Sequence, residues 1–120
     1  MKQFFYVTTK RGKLKVVLLP SVDAVHKRFD GQAKYSKGFK VHAFFTGPTR
    51  PGSLGSITLP VGDKHILELV AHECTHAAID VERRTVLDGD CMELDDTTEE
   101  RIATLVGELT YKVIAKLTSR

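Results

Sequence analysis

The chain has 120 residues, enough for one domain with a modest core spanning 1–120, and its 42% hydrophobic and 28% charged content excludes a disordered or fibrous protein. Two cysteines exclude a disulfide framework, and no apolar run of membrane length or secretory leader stands out, so the expected setting is the cytoplasm without membrane attachment. The net charge of +3 hides an asymmetry: residues 1–64 carry 12 Lys/Arg against 3 Asp/Glu, whereas residues 65–120 carry 6 against 12.

In chain order, the aromatic and β-branched run FFYVTT (4–9) predicts a strand, RGK a turn, and LKVVLLP (14–20) a second strand closing a hairpin and ending at Pro20. Lys10, Arg11, Lys13 and Lys15 gather around that turn, and Lys34, Lys37 and Lys40 flank Tyr35. Such a basic half suits an acidic partner or nucleic acid, or simply the attraction between two oppositely charged halves of one domain. SVDAVHKRF, with a Ser cap and apolar residues at 22, 25 and 29, predicts a short helix ending near the Asp30-Gly31 breaker. KVHAFF (40–45) and SITLPV (56–61) predict the third and fourth strands, separated by the turn-rich TGPTRPGSLG. His26, His42 and His65 are scattered and read as structural, although His42 on the third strand is placed to reach a cleft.

From Asp63 the sequence runs DKHILELVAHECTHAAIDVERR, with Ile66, Leu69, Val70, Glu73 and Ala77 recurring at three- and four-residue steps and no Pro or Gly inside. This predicts a helix of four to five turns, capped by the Asp63 carboxylate. On it His72 and His76 stand one turn apart and lean over one another, so both imidazoles can share a metal from one side. Glu73 lies about 100° around the axis, close enough to act on water at the metal without ligating it. His72-Glu73-Cys74-Thr75-His76 is the H-E-x-x-H zinc signature. Cys74 points away from the two imidazoles and reads as a small buried hydrophobe.

A polar stretch, DGDCMELDDTT, then leads into EERIATLVGELTYKVIAKL, whose Ile102, Leu105, Val106, Leu109, Val113 and Leu117 form a helical apolar stripe. A catalytic zinc typically takes three protein ligands and one open position. Glu99 and Glu100, in the first turn of this last helix, are candidates for the third, and both also have the spacing of a capping box, Asp96 with Glu99 and Thr97 with Glu100. Asp80, one turn beyond His76, is a candidate acceptor for an imidazole N–H. Cys91 is a remote candidate for a fourth ligand. Four strands and a helix ahead of two long helices predict an α+β domain.

HECTH followed by an E-x-x-A start to a second helix (Glu100, Ala103, continuing through Val106 and Gly107) resembles the glutamate-zincins, in particular the small single-domain versions of bacteria, phages and mobile elements. The resemblance covers roughly residues 63–110. It implies a minimal zincin-like domain: a small, mostly antiparallel sheet of about four strands followed by an HExxH helix and a C-terminal helix packed on it. It further implies Zn2+ held by His72, His76 and Glu100, with Glu73 as general base; the helical wheel leaves Glu99, nearer the centre of the apolar stripe, as the alternative ligand. In zincins an edge strand borders the cleft, so the resemblance implies that Ser56, Ile57, Thr58 and Leu59 hold a peptide or protein substrate by strand addition. The expected activity is zinc-dependent peptide hydrolysis in the cytoplasm, or in a host cytoplasm for a phage-encoded protein. The alternative expectation is a catalytically weak or inactive zincin-fold binding protein that regulates a host protein or nucleic acid. Tyr111, Tyr35 and His42 are the side chains available to stabilise an oxyanion.

Overall fold

Residues 3–33, 40–85 and 96–119 are described in the computed structural model. The hairpin expected at the N-terminus forms: β1 (Gln3–Thr9) pairs antiparallel with β2 (Gly12–Leu19), from Gln3 opposite Leu18 to Thr9 opposite Gly12. The Thr9 hydroxyl closes the turn, donating to the Gly12 carbonyl at 3.2 Å and accepting from the Arg11 N–H at 3.0 Å. β4 (Ser53–Pro60) lies beside β2 in parallel, and β3 (Phe44–Thr46) pairs antiparallel with β4 on the far side, giving the order β1-β2-β4-β3. The sheet is therefore mixed.

A parallel pair at the centre of a sheet needs both faces covered, and the sequence of β2 meets that need. Leu14, Val16 and Leu18 point to one face and Val17 and Leu19 to the other, all of them buried. Helix α1 (Val22–Ala33) covers the second face through Val25, with Phe29 edge-on to Phe44 at 5.4 Å. Helices α2 (Ile66–Thr85) and α3 (Asp96–Thr118) cover the first, α2 against β3 and β4 and α3 against β1, and the two pack on one another. The result is an α+β domain of three layers. No helix among the described residues is long and apolar enough to cross a membrane.

Three element boundaries differ from expectation, one of them the start of β4 at Ser53, inside the segment expected as a turn. Helix α1 continues through Asp30-Gly31 to Ala33, because a glycine costs a helix only about 1 kcal/mol and Val25 and Phe29 are already held against the sheet. The third strand begins only at Phe44, since the Val41 N–H is taken by His26 Nδ1 at 2.9 Å instead of a neighbouring strand. Gly55 lets β3 come close to β4: its φ is +97°, and a Cβ there would lie 2.3 Å from the Thr46 carbonyl oxygen.

One polar contact ties the layers together. Glu82, near the end of α2, is fully buried, and its two carboxylate oxygens accept from Arg11 Nη1 of the β1–β2 turn at 3.1 Å and from Arg101 Nε of α3 at 3.0 Å. Both arginines are partly exposed, so each can turn to water when the carboxylate is removed. The carboxylate has no such escape. Glu82→Ala should therefore cost about 2–3 kcal/mol, while Arg11→Ala with Arg101→Ala, which strands a buried charge, should cost about 3–5 kcal/mol. Urea unfolding of the two variants checks the order, and a double-arginine variant no less stable than Glu82→Ala would contradict it. Gly55→Ala should lose more than about 1 kcal/mol in the same assay, because it adds both a disfavoured φ and a clash.

Candidate metal centre

The zinc-signature helix starts as its sequence directs. The Asp63 carboxylate accepts from the His65 N–H at 2.9 Å and its carbonyl from the Ile66 N–H at 3.1 Å, after which helical bonding begins with Leu69 N–H to the His65 carbonyl at 3.0 Å. Val70, Cys74, Ala77, Ala78 and Val81 form the buried side of α2. The small residues among them let the helix lie close to the sheet. His72 and His76 are consequently turned outward.

The two imidazoles meet edge to face, with ring centroids 4.8 Å apart, planes at 75° and the Nε2 atoms 3.2 Å from each other. Two nitrogens on a tetrahedral zinc at the usual Zn–N length stand about 3.3 Å apart. The pair is thus already spaced as two ligands of one ion; without metal, the same contact is an N–H···N hydrogen bond with one ring donating. Burial and the nearby His72 hold the His76 imidazolium below its usual range, leaving a neutral ring with a free lone pair near neutrality.

Glu73 is the third member. It is only 4% exposed, and its Oε2 lies 4.0 Å from His72 Nε2. Burial pushes its carboxyl above the ordinary 4.5, against a smaller downward pull from His72. The three side chains border a groove of about 550 Å³ between α2 and the segment leading into β3, where His42, Phe45 and Phe29 face them. His42 thus lies in the cleft, in the stretch just ahead of β3. Tyr111 is 74% exposed and borders a separate groove with Tyr6 and Lys116. Tyr35 and Cys91 lie outside the described residues.

Glu100 is exposed and borders a different groove, at the β1–β2 turn, together with Lys10, Arg11, Arg101 and Glu108. Glu99 is exposed on the same first turn of α3. Among the described residues, no group of three or more His, Cys, Asp or Glu is arranged to hold a metal. The Asp80 carboxylate is engaged by Arg84 Nε, four residues on in the same helix. Ser56, Ile57 and Thr58 do not lie at a free edge: β2 pairs with them on one side and β3 on the other, and Leu59 pairs with Leu18. The sheet has two edges, β1 and β3, and it is β3, Phe44–Thr46, that borders the cleft. Cys74 is fully buried, and burial pushes its thiol up to about 11, so it remains a protonated core side chain beside Thr110.

Glu82 and its arginines, the aromatic wall of Phe29 and Phe45, and the position of β3 at the edge have no local signature of their own in the sequence. Only the strand pattern of KVHAFF hinted at any of these, through His42. Compared with models of known families, with curated proteins and with solved structures, the chain finds no match.

The raised Glu73 carboxyl has a consequence for metal-free protein. A group whose folded-state pKa is raised contributes stability that is complete below its ordinary value of 4.5 and lost as pH rises through the raised value. Gln is neutral throughout. Metal-free Glu73→Gln should match the wild type in melting temperature at about pH 4 and exceed it at about pH 7. Equal melting temperatures at both pH values would count against a buried, unneutralised carboxylate.

Proposed function

We propose that this protein hydrolyses peptide bonds with a zinc ion held by His72 and His76 and with Glu73 as the general base. The observation that carries this reading is the 3.2 Å separation of the two Nε2 atoms directly beside a buried carboxylate, on the wall of an open groove. Bound there, zinc supplies a Lewis acid that acidifies water and polarises a carbonyl. Glu73 takes the proton of the attacking water and delivers it to the departing amine. Its raised proton affinity suits both halves of that task, because a base whose pKa moves toward the working pH can also release its proton as an acid.

The rest of the groove contributes positioning. His42 stands across it, where it serves either as the third zinc ligand or as a donor to the developing oxyanion, the two roles that the zinc titration of His42→Ala separates. The outer edge of β3 offers unpaired backbone groups along which an extended peptide can add as a further strand. Phe29 and Phe45 provide an apolar wall for one substrate side chain. Glu100 and Glu99 are not carried into this proposal, because Glu100 borders the groove at Lys10 and Arg11. His42 and Glu68 border the His72–His76 cleft and are the described side chains from which a third ligand can come.

Two measurements test the reading. Purified protein should contain about one zinc per chain, falling by at least about tenfold in affinity in His72→Ala and in His76→Ala. His42→Ala and Glu68→Ala in the same titration identify the third ligand by which of them weakens zinc. Glu73→Gln should retain zinc while losing peptide hydrolysis by about a hundredfold or more. A protein that binds no zinc with both histidines intact overturns the site. Zinc binding with no hydrolysis in either form leaves the zincin-like binding protein as the better reading.

A further inference from the structure

A second surface lies on the opposite side of the sheet from α2 and α3, away from the histidine cleft. Helix α1 covers only part of that face, through Val17, Leu19 and Phe44. The next row runs across all four strands, from Tyr6 to its partner Lys15, to Ser56 and to Thr46, because these four are successive cross-strand partners and therefore point the same way. Tyr6 is 42% exposed and Phe4, two residues earlier on the same face, is 52% exposed. Their rings sit edge to face at 5.9 Å and 86°, and Lys15 Nζ lies 4.6 Å from the Phe4 ring centre. A groove of about 290 Å³ adjoins Tyr6 and is lined by Lys13, Arg50, Pro51 and Ser53.

The charge of this surface is of one sign. Residues 3–19 and 40–60, which include every strand, contain no Asp or Glu. Lysines and an arginine alone would attract any anion. Two exposed rings on one face of the sheet, with cations beside them, match something narrower: planar bases that stack on the rings while their phosphates lie on the cations. A duplex hides its bases, and an acidic peptide has no planar groups for the rings.

We infer that the uncovered sheet face bearing Phe4, Tyr6, Lys13, Lys15 and Arg50 binds single-stranded nucleic acid. The bases stack on Phe4 and Tyr6, and the backbone tracks along Lys13, Lys15 and Arg50. DNA and RNA strands share this chemistry, since both carry the planar bases and the phosphates that the rings and cations take. The site is independent of the metal centre, on which it makes no demand.

The test is fluorescence anisotropy of the intact chain with labelled oligothymidylate and oligouridylate of about a dozen nucleotides, followed against salt. Both strands should bind, with log affinity falling against log salt at a slope of about −2, as three phosphate contacts require. Tyr6→Leu, which keeps bulk but removes the ring, should weaken binding about fivefold or more, whereas Tyr6→Phe should retain it. Lys13→Gln with Arg50→Gln should flatten the salt slope to about −0.7. Failure of both oligonucleotides to bind overturns the inference, as does binding that Tyr6→Leu leaves unchanged. Equal competition by a polyglutamate peptide would instead assign the face to an acidic protein. Self-association of the wild type that disappears in Phe4→Ser would assign it to a second copy of the chain.

Discussion

The buried carboxylate of Glu82 links three elements at the place where the layers of this protein meet. Glu82 has no water around it, so its charge is tolerable only while Arg11 and Arg101 hold both of its oxygens. Those arginines come from the hairpin turn and from α3, and Glu82 itself from α2, so the requirement fixes three elements at one point. The hydrophobic faces of α2 and α3 have many ways to press against a sheet, because burial of apolar area has no direction. The ion triad selects one of them. It also anchors α2 nearly three turns beyond His72 and about two turns beyond His76, and with the apolar face of the helix it sets the rotation of α2 and hence where the imidazoles point.

The placement of the candidate metal centre follows from that rotation. Val70, Cys74, Ala77, Ala78 and Val81 are committed to the core, and His72 and His76 fall on the side left over. Glu73 lies between the two sides, which is why it is buried yet still within 4.0 Å of an imidazole nitrogen. A carboxylate fully inside would be silenced, and one fully outside would have an ordinary proton affinity. Its border position, buried but beside an imidazole, raises its proton affinity above that of an ordinary carboxylate. The two faces of the sheet are correspondingly different: one supports the helices that build the cleft, while the other is half covered by α1 and otherwise basic and aromatic.

Much of this was legible in the residues themselves. The hairpin, the start of the zinc-signature helix at Asp63, the long C-terminal helix and the one-turn spacing of His72 and His76 rest on local rules, namely strand alternation, capping and a 3.6-residue period, and each is seen in the fold. Glu73 and its burial also follow from its place between an apolar and a polar face. Glu82 was not legible, because one more Glu in the stretch VERR looks like a solvated charge until an arginine from residue 11 and another from residue 101 arrive beside it.

The same division holds for the cleft. A helix carries its own side-chain spacing, because i and i+4 are neighbours by geometry alone, so HECTH specified the histidine pair and the adjoining Glu73 before any packing was known. Strand order carries no such local mark. Whether SITLPV lies inside the sheet or at its edge depends on the parallel pairing of β2 with β4, a contact between segments some forty residues apart, and only folding placed β3 outside it and His42 in the groove. The groove that Glu100 borders was decided in the same way, by how α3 docks against the hairpin turn rather than by anything in the E-x-x-A spacing. Periodicity is a short-range property, and the partners across a cleft are set by long-range packing.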